Sequence, residues 1–469
     1  MRSIRLSPGG ESSRARGGRT LKAKHGLTWW RKIPFFYGWI VVAATFVCFM
    51  FGYAVWHSFS IFYVAILAEF GWPRAATALT FSVFTIVYGL FSPIAGGLVD
   101  RFGPRRVLPF GAIVLGIGLL LTTRLSSLWH FYLLFGVVSA LGLSSLGSVP
   151  SFTILNNWFV KKRGTAGGLA AAGIGVGTLL LVPILQSVIN DYGWRTAYVV
   201  LAVAVMVAIP LVVILFQRHK PQDLGLLPDG DKPELKTATR SEAKGYDAMV
   251  VDVEWVSRDW TLKSAARTGR FWLISAARGL EMLCLQMFLT HQAAYFVDAG
   301  FDKLVAASVV GTVGIVGSFG KILWGTVSDR IGREVTYTIA FALGTIGILT
   351  ILSIQAGSPL WMLYLYGVVY GLCYGVSAVL TPVITADIFQ GKRYGSILGG
   401  VYVTGNFGSA FGAFLAGYIF DIAGSYRWAF SLSIPLMWIS CLLFWLAAPR
   451  RVRLVAGRVK RSAGTLATE

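Results

Sequence analysis

Ionisable side chains inside long apolar stretches are the residues of this sequence best suited to chemistry. Four of them stand out by position: His57, Arg278, Glu281 and Lys321. A charge in the apolar core of a membrane is costly, so each of these residues is a functional hypothesis by default. Lys321 lies about seven residues, roughly 10 Å of helix, before the end of its stretch. Its ammonium group can hold a carboxylate in a water-filled cavity, or the side chain can snorkel to the membrane surface.

Proton transfer is a second chemistry open to these residues. Histidine titrates near physiological pH, so His57 suits a proton-coupled step or a hydrogen bond to a carboxylate. The alternative is a packed histidine bonded to a backbone carbonyl. Arg278 and Glu281 are three residues apart and share one face of a helix. They form either an ion pair that neutralises both charges, or a gated pair in which Glu281 takes a proton and frees Arg278 for an anion.

Uncharged polar residues in the same stretches are further candidates for contacting a substrate. They are Gln286, Tyr370, Tyr374 and Asn406. The alternative role of each is a hydrogen bond between helices. The four cysteines fall in apolar runs without paired spacing, so we expect neither a disulfide framework nor a metal site. No GxxxxGK[ST] loop is present in the sequence, and we expect no ATP-driven step and no cofactor.

The stretches that position these residues are predicted membrane spans. Of 469 residues, 55% are hydrophobic and 13% charged, with a mean hydropathy of +0.66, which excludes a soluble protein. Apolar runs of about 20 residues are long enough to cross the roughly 30 Å of bilayer hydrocarbon as helices. The predicted fold is an all-α membrane protein with twelve transmembrane helices. Their spans are roughly 39–66, 77–99, 106–123, 129–156, 164–189, 195–216, 271–296, 304–328, 335–355, 361–387, 394–421 and 427–448.

A repeated turn predicts how the spans are arranged. The segment GGLVDRFGPRR begins at residue 96, and GTVSDRIGR begins at residue 325. Matching halves of six spans that enter the membrane in the same orientation make two parallel-repeat six-helix bundles. The predicted division is a basic cytoplasmic tail (1–35), an N-terminal bundle (36–216), a cytoplasmic linker (217–270), a C-terminal bundle (271–448) and a second cytoplasmic tail (449–469).

The charged residues of the two turns are candidates for conformational gating. Asp100, Arg101, Asp329 and Arg330 are predicted to form interhelical salt bridges that hold one conformation. Asp387, at the end of the tenth span, is predicted to make a structural turn or gate contact. These residues belong to the machinery of movement and are not expected to touch substrate.

The distribution of charge predicts the topology. The net charge is +21, and with both termini inside, the short inner loops hold ten Lys/Arg against five in the outer loops. The positive-inside rule therefore places both termini in the cytoplasm of a multi-pass protein of the cell's inner (plasma) membrane. The basicity fits a lipid bilayer as partner and does not call for nucleic acid.

Three segments carry a resemblance to a known family. They are FYGWIVVAATF from residue 36, YAVWHSFSIFYVAI from residue 53 and NNWFVKKRGTAGGLAAAGIGVGT from residue 156. With the six-plus-six layout and the paired turns, the chain resembles the major facilitator superfamily, in particular its monocarboxylate transporter and oxalate/formate antiporter branch. The resemblance implies a carrier of small anions, such as lactate- or pyruvate-like monocarboxylates, often moved with a proton.

Site residues carry over from this resemblance at a few positions. A cation late in span one falls on His57, where animal carriers have lysine, and the cation of span eight falls on Lys321. The acidic residue that animal carriers have four positions earlier falls on Gly317. The second cation of the oxalate carriers falls on Gly405 and Asn406, which are uncharged, and this favours a monovalent anion.

We therefore expect a secondary transporter that moves a small organic monocarboxylate by alternating access, with proton symport or anion exchange. The alternative within transport is uptake or efflux of another organic anion or amphipathic compound. A membrane enzyme is not expected, because the five histidines are scattered and form no catalytic constellation in the sequence.

Overall fold

The computed structural model describes residues 34–231 and 248–459. Most of the predicted first tail, the centre of the predicted linker and the end of the second tail lie outside these residues. In the described residues the regular elements are helices, and one isolated antiparallel bridge joins Val250 to Arg453.

Twelve long helices make up the body of the protein. They are α1 (Gly38–Phe70), α2 (Arg74–Phe102), α3 (Pro104–Thr122), α4 (Leu128–Trp158), α5 and α6 (163–192 and 194–216 within the segment Arg163–Phe216), α7 (Gly269–Asp298), α8 (Lys303–Ile331), α9 (Arg333–Ser353), α10 (Leu360–Phe389), α11 (Tyr394–Ala423) and α12 (Arg427–Ala447). We divide Arg163–Phe216 because Gly193 has a φ of 82° and a ψ of 162°, which interrupts the helix.

Length and hydropathy identify ten of the described helical segments as able to cross a membrane. Two further considerations bring this count to the predicted twelve. Arg163–Phe216 is a single segment of 54 residues and supplies two crossings. The glycine-rich α11 is 30 residues long and packs against α2 and α7. The all-α fold with twelve long helices is confirmed.

The glycine of each repeated turn allows one helix to follow another almost without a loop. Gly103 separates α2 from α3 with a φ of 76°, and Gly332 separates α8 from α9 with a φ of 107°. This left-handed region is one that glycine adopts at little cost. The end of the structure that carries both turns is called the turn end below.

The two sequence halves meet along two main seams, α2 against α11 and α5 against α8. Glycines bring the backbones into contact at equivalent places in both seams. A Cβ on Gly96 would lie 2.1 Å from the carbonyl oxygen of Gly395, and one on Gly325 would lie 2.1 Å from that of Gly164. Small residues permit this close packing of membrane helices.

The segments between the halves pack onto the turn end. Two short helices, Val253–Ser257 and Leu262–Ala265, precede α7. Trp255 anchors the first of them by donating its indole N–H to the carbonyl of Ile388 at 2.9 Å.

Because only one of two glycines on α8 lies in a seam, we expect their substitution by alanine to affect stability differently. Gly325→Ala forces α5 and α8 apart and is expected to lower the free energy of unfolding by about 1–3 kcal/mol, the usual cost of overpacking. Gly311→Ala is the matched control, because no described atom lies within 4 Å of its Cβ position. Thermal unfolding in detergent measures both, and equal stability of the two variants would contradict the tight seam.

Candidate functional site

Lys321 lies on α8 where the two halves meet. Its side chain is buried, with 2% relative exposure, and its carbonyl oxygen approaches Gly168 of α5. The ammonium nitrogen lies 5.3 Å from the ring centroid of Tyr374 on α10, within reach of a cation–π contact. No carboxylate among the described residues forms an ion pair with it. A buried, unpaired ammonium group fits an anion site and not a side chain that snorkels to the surface.

His57 approaches Lys321 from the other half. It is half-buried on α1, and the two side chains are close enough for their charges to interact. Its ring lies 6.4 Å from that of Tyr53, and within the described residues its ring nitrogens have no hydrogen-bond partner. The backbone-bonded alternative is therefore not what the structure contains. The structure therefore brings one basic group from each half near the other.

Arg278 and Glu281 form a closed, buried ion pair on α7. The Nη1 atom of Arg278 lies 3.1 Å from Oε2 of Glu281 and donates to the hydroxyl of Ser377 at 3.0 Å. Tyr337 donates to the other carboxylate oxygen at 3.2 Å. The guanidinium carbon lies 4.9 Å from the ring centroid of Tyr402. Freeing Arg278 for an anion would require this network to open.

A small cavity lies beside Glu281 of the ion pair. Its volume is about 30 Å³, and its polar lining includes Glu281, Tyr370, Tyr374 and Ser377. A cavity of that size has room for about one or two water molecules. Since Tyr374 also faces Lys321, its ring stands between the ammonium group and the cavity.

The Tyr374 ring also fills the space beside Gly317. A Cβ at Gly317 would lie 2.4 Å from a ring carbon of Tyr374. Gly317 is the position at which the family resemblance implies an acidic residue in animal carriers. In this chain an aromatic ring therefore packs where a carboxylate would otherwise accompany Lys321.

Two of the proposed lining residues lie outside this cluster. Asn406 donates to the carbonyl of Tyr402 on its own helix at 2.9 Å and packs against Gly89 of α2. Gln286 donates to Thr290, one turn further along α7, at 3.0 Å. Both hydrogen bonds lie within one helix, so neither is the hydrogen bond between helices that the alternative role requires.

The N-terminal half contributes polar groups that sequence reasoning missed. The hydroxyl of Tyr53 lies 2.7 Å from that of Ser148 and 3.3 Å from that of Tyr88. Tyr53 precedes His57 by four residues and therefore shares its helix face. The spacing of four residues could have identified Tyr53 as a neighbour of His57 from the sequence. The contact between α1 and α4 could not be predicted in this way.

At the turn end, the two repeated aspartates bind the starts of helices in the opposite halves. Asp329 accepts the backbone N–H groups of Gly164 at 3.1 Å and Thr165 at 2.8 Å, at the start of α5. Asp100 accepts the N–H of Ser396 at 3.3 Å, at the start of α11. A carboxylate at a helix N-terminus satisfies free donors and complements the helix dipole.

Asp387 belongs to a buried charge network beside these contacts. It pairs with Arg163 at 2.8 Å and with Arg333 at 2.9 Å, and Arg333 also pairs with Asp329 at 2.7 Å. All four side chains are less than a tenth exposed. The network joins α5, α8, α9 and α10.

The prediction of salt bridges for Arg101 and Arg330 is not met among the described residues. Both side chains are exposed, and Arg101 packs over the neighbouring ring of Phe102. The cations that enter the network are Arg163 and Arg333, which the sequence analysis did not select. Each begins a helix, α5 or α9, and its side chain is buried there.

These features define a class of protein. Twelve long helices with basic and tyrosine groups between two halves, and with ionic contacts at one end, form a multi-pass membrane carrier. A family model described as Major Facilitator Superfamily matches residues 44–357 and 298–466. The chain belongs to the Major Facilitator Superfamily.

Curated relatives narrow the comparison. The chain is 28% identical over 400 residues to monocarboxylate transporter 13 of Bos taurus, covering 84% of this chain and 85% of that protein. It is 27% identical over 442 residues to monocarboxylate transporter 12 of Rattus norvegicus, covering 91% and 87%. Both relatives are named as transporters.

Solved structures agree in fold. The fucose:proton symporter FucP of E. coli matches with a TM-score of 0.63 at 13% identity, over 87% of this chain and 98% of that one. The proton:xylose symporter XylE matches with a TM-score of 0.65 at 15% identity, over 87% and 95%. At this identity the likeness concerns the fold alone.

The charge network predicts a large effect for one isosteric change. Asp387→Asn leaves Arg163 without its carboxylate partner, and removing one member of a buried pair typically costs about 3–5 kcal/mol. Glu254→Gln is the control, because it removes an exposed ion pair with Arg258 and should leave stability unchanged within error. Chemical unfolding in detergent compares them, and a near-normal Asp387→Asn protein would contradict the structural role of the network.

Proposed function

We propose that this protein is a secondary active transporter that moves a small organic monocarboxylate by alternating access, with Lys321 as the anchor for the substrate carboxylate. The observation that carries the proposal is the buried ammonium group between the halves, which has no carboxylate partner in the described residues. A buried charge is strongly disfavoured unless it is paired. A substrate anion supplies that partner and is released when the site opens to water.

Charge balance supports a monoanion as substrate. The cation of Arg278 is already neutralised by Glu281, which leaves Lys321 as the positive charge available at the centre of the described structure. While His57 is neutral, one carboxylate balances one ammonium group, and a dicarboxylate would bring an excess negative charge into a buried site. The names of the curated relatives, monocarboxylate transporters at 27–28% identity, agree with this substrate class.

Proton coupling is assigned to His57, with Glu281 as the second candidate. A protonated imidazole beside Lys321 offers a second donor to the carboxylate, and an anion at this place favours protonation. Substrate and proton would then stabilise each other's binding, which is the thermodynamic requirement for symport. Exchange of one anion for another needs only Lys321.

Movement of the halves is assigned to the contacts at the turn end. Asp100, Asp329 and Asp387 hold the seams of α2 with α11 and of α5 with α8, so this end is closed while they persist. Breaking them lets two six-helix halves rock around the central site. The excess of basic residues assigns the turn end and both termini to the cytoplasmic face of the plasma membrane.

A cluster of aromatic rings beside His57 supports a second candidate class of substrate. Trp56 lies one residue from His57 and packs against the rings of Phe81, Phe84 and Tyr88 at centroid distances of 5.3–5.5 Å. An aromatic surface beside the basic groups suits a larger organic anion or an amphipathic compound.

The test of the anchor is uptake of labelled lactate or pyruvate into proteoliposomes, with and without an inward proton gradient. Lys321→Ala is expected to abolish uptake, because the buried ammonium group that anchors the carboxylate is lost. Lys321→Arg keeps the charge and should retain part of the activity. Lys392→Ala, at an exposed lysine after α10, is the control. Near-normal uptake by Lys321→Ala would contradict the anchoring role.

The pH profile of uptake tests His57 separately. His57→Gln keeps a hydrogen-bonding side chain that cannot take a proton, so we expect a flattened profile and loss of the stimulation by a proton gradient. Glu281→Gln in the same assay identifies the second candidate. An unchanged profile in His57→Gln would remove the histidine as the proton group, and an unchanged profile in both variants would favour exchange.

A further inference from the structure

A long apolar groove runs along the outside of α2, α3 and α4, away from the central site. Its volume is about 590 Å³, and nearly all of its surface is hydrophobic. Its lining includes Phe91, Leu98, Phe102, Phe110 and Val114. From Phe102 to Phe91 the groove follows α2 for about 16 Å. That length matches one leaflet of the hydrocarbon core, about half of 30 Å.

A polar cavity opens directly above the groove at the turn end. Its volume is about 500 Å³, and it shares Phe102 and Arg106 with the groove. Arg105, Arg218 and His219 also line it, and Asp223 is the one acidic residue among its lining. Three guanidinium groups and one carboxylate therefore line this cavity.

The basic groups of this cavity are held in place by the end of α6. Arg105 donates to the carbonyls of Ile214 at 2.8 Å and Gln217 at 3.0 Å. Arg218 donates to the carbonyls of Leu215 at 3.2 Å and Gln217 at 2.9 Å. Carbonyl partners orient a guanidinium group without neutralising it, so both charges remain available to an anion.

The acidic residue does not cancel these charges. Asp223 accepts the backbone N–H of Lys220 at 3.0 Å and forms no ion pair with the three arginines in the described structure. Burial and the neighbouring Lys220 lower the pKa of His219, which keeps its imidazole neutral at physiological pH. Arg106, at the boundary with the groove, has no ion-pair partner among the described residues and is exposed.

We propose that this groove and cavity form a binding site for an anionic phospholipid, with one acyl chain in the groove and the headgroup phosphate on Arg105, Arg106 and Arg218. Guanidinium groups match the oxygens of a phosphate in geometry and charge. The apolar groove is long enough for an acyl chain. The cavity at its mouth is positively charged, and an anionic headgroup neutralises that charge, whereas a zwitterionic headgroup does not. The two parts meet at the depth where a phospholipid changes from tail to headgroup.

The position of the site gives the bound lipid a structural consequence. Arg105 and Arg106 lie in the first turn of α3, after Gly103 and Pro104, and Asp100 lies on the other side of the same turn. A headgroup that holds this turn also holds α2 in the position from which Asp100 reaches the start of α11. The anionic lipid therefore stabilises the closed turn end.

Lipid binding to the purified full chain tests the proposal, with phosphatidylglycerol compared with phosphatidylcholine of the same chains by native mass spectrometry and thermal shift. Phosphatidylglycerol is expected to bind and stabilise more strongly. Arg106→Gln should weaken its binding about fivefold, the effect of one cation near an anionic headgroup. Arg124→Gln, at the opposite end of α3, is the matched control and should change nothing.

Two further experiments distinguish the contribution of the headgroup to binding from that of the acyl chain. Val114→Trp fills the groove and should reduce phosphatidylglycerol binding while Arg106 is intact. Glycerol phosphate and inorganic phosphate should give no stabilisation at equal concentration, because they bring no chain. Equal binding of the two lipids, an unaffected Arg106→Gln protein, an unaffected Val114→Trp protein, or full stabilisation by free phosphate would each overturn the proposal.

Discussion

The structure depends on two carboxylates that reach from one half of the chain to the start of a helix in the other. Asp329 binds the first N–H groups of α5, and Asp100 binds one at the start of α11. Each contact is possible only because glycines let the backbones approach, Gly325 against Gly164 and Gly96 against Gly395. The same contact, in which an aspartate binds a helix N-terminus beside two closely packed glycines, therefore occurs in both seams.

Buried charges divide the protein into a closed end and a responsive centre. At the turn end every buried aspartate has partners, and Arg163 and Arg333 balance Asp387 and Asp329. At the centre, Glu281 balances Arg278, whereas Lys321 packs against the Tyr374 ring and has no carboxylate partner in the described structure. Paired buried charges stabilise one arrangement strongly, because breaking a pair leaves an isolated charge. An unpaired buried cation makes the centre sensitive to the arrival of an anion, and this contrast underlies the proposed transport cycle.

Much of this arrangement could be predicted from the sequence, because hydropathy and spacing are local properties. The helices extend a few residues beyond most predicted spans; α1, for example, covers Gly38–Phe70 against a predicted 39–66. The Arg278–Glu281 pair followed from a spacing of three residues.

Contacts between distant segments could not be predicted in this way. Arg163 and Arg333 lie just outside the predicted spans, and Tyr53 and Ser148 are 95 residues apart, so their contacts exist only once the fold brings the helices together. Conversely, Arg101 and Arg330 were selected because they adjoin the aspartates in sequence, yet the helices direct them outward.

A structure determined with a bound monocarboxylate would show which cation holds the anion. We expect the substrate carboxylate within hydrogen-bond distance of the Lys321 ammonium group, beside His57, with the Arg278–Glu281 pair still closed. A carboxylate bound instead to Arg278, with Glu281 displaced and Lys321 still against Tyr374, would contradict the account and move the anion site to α7.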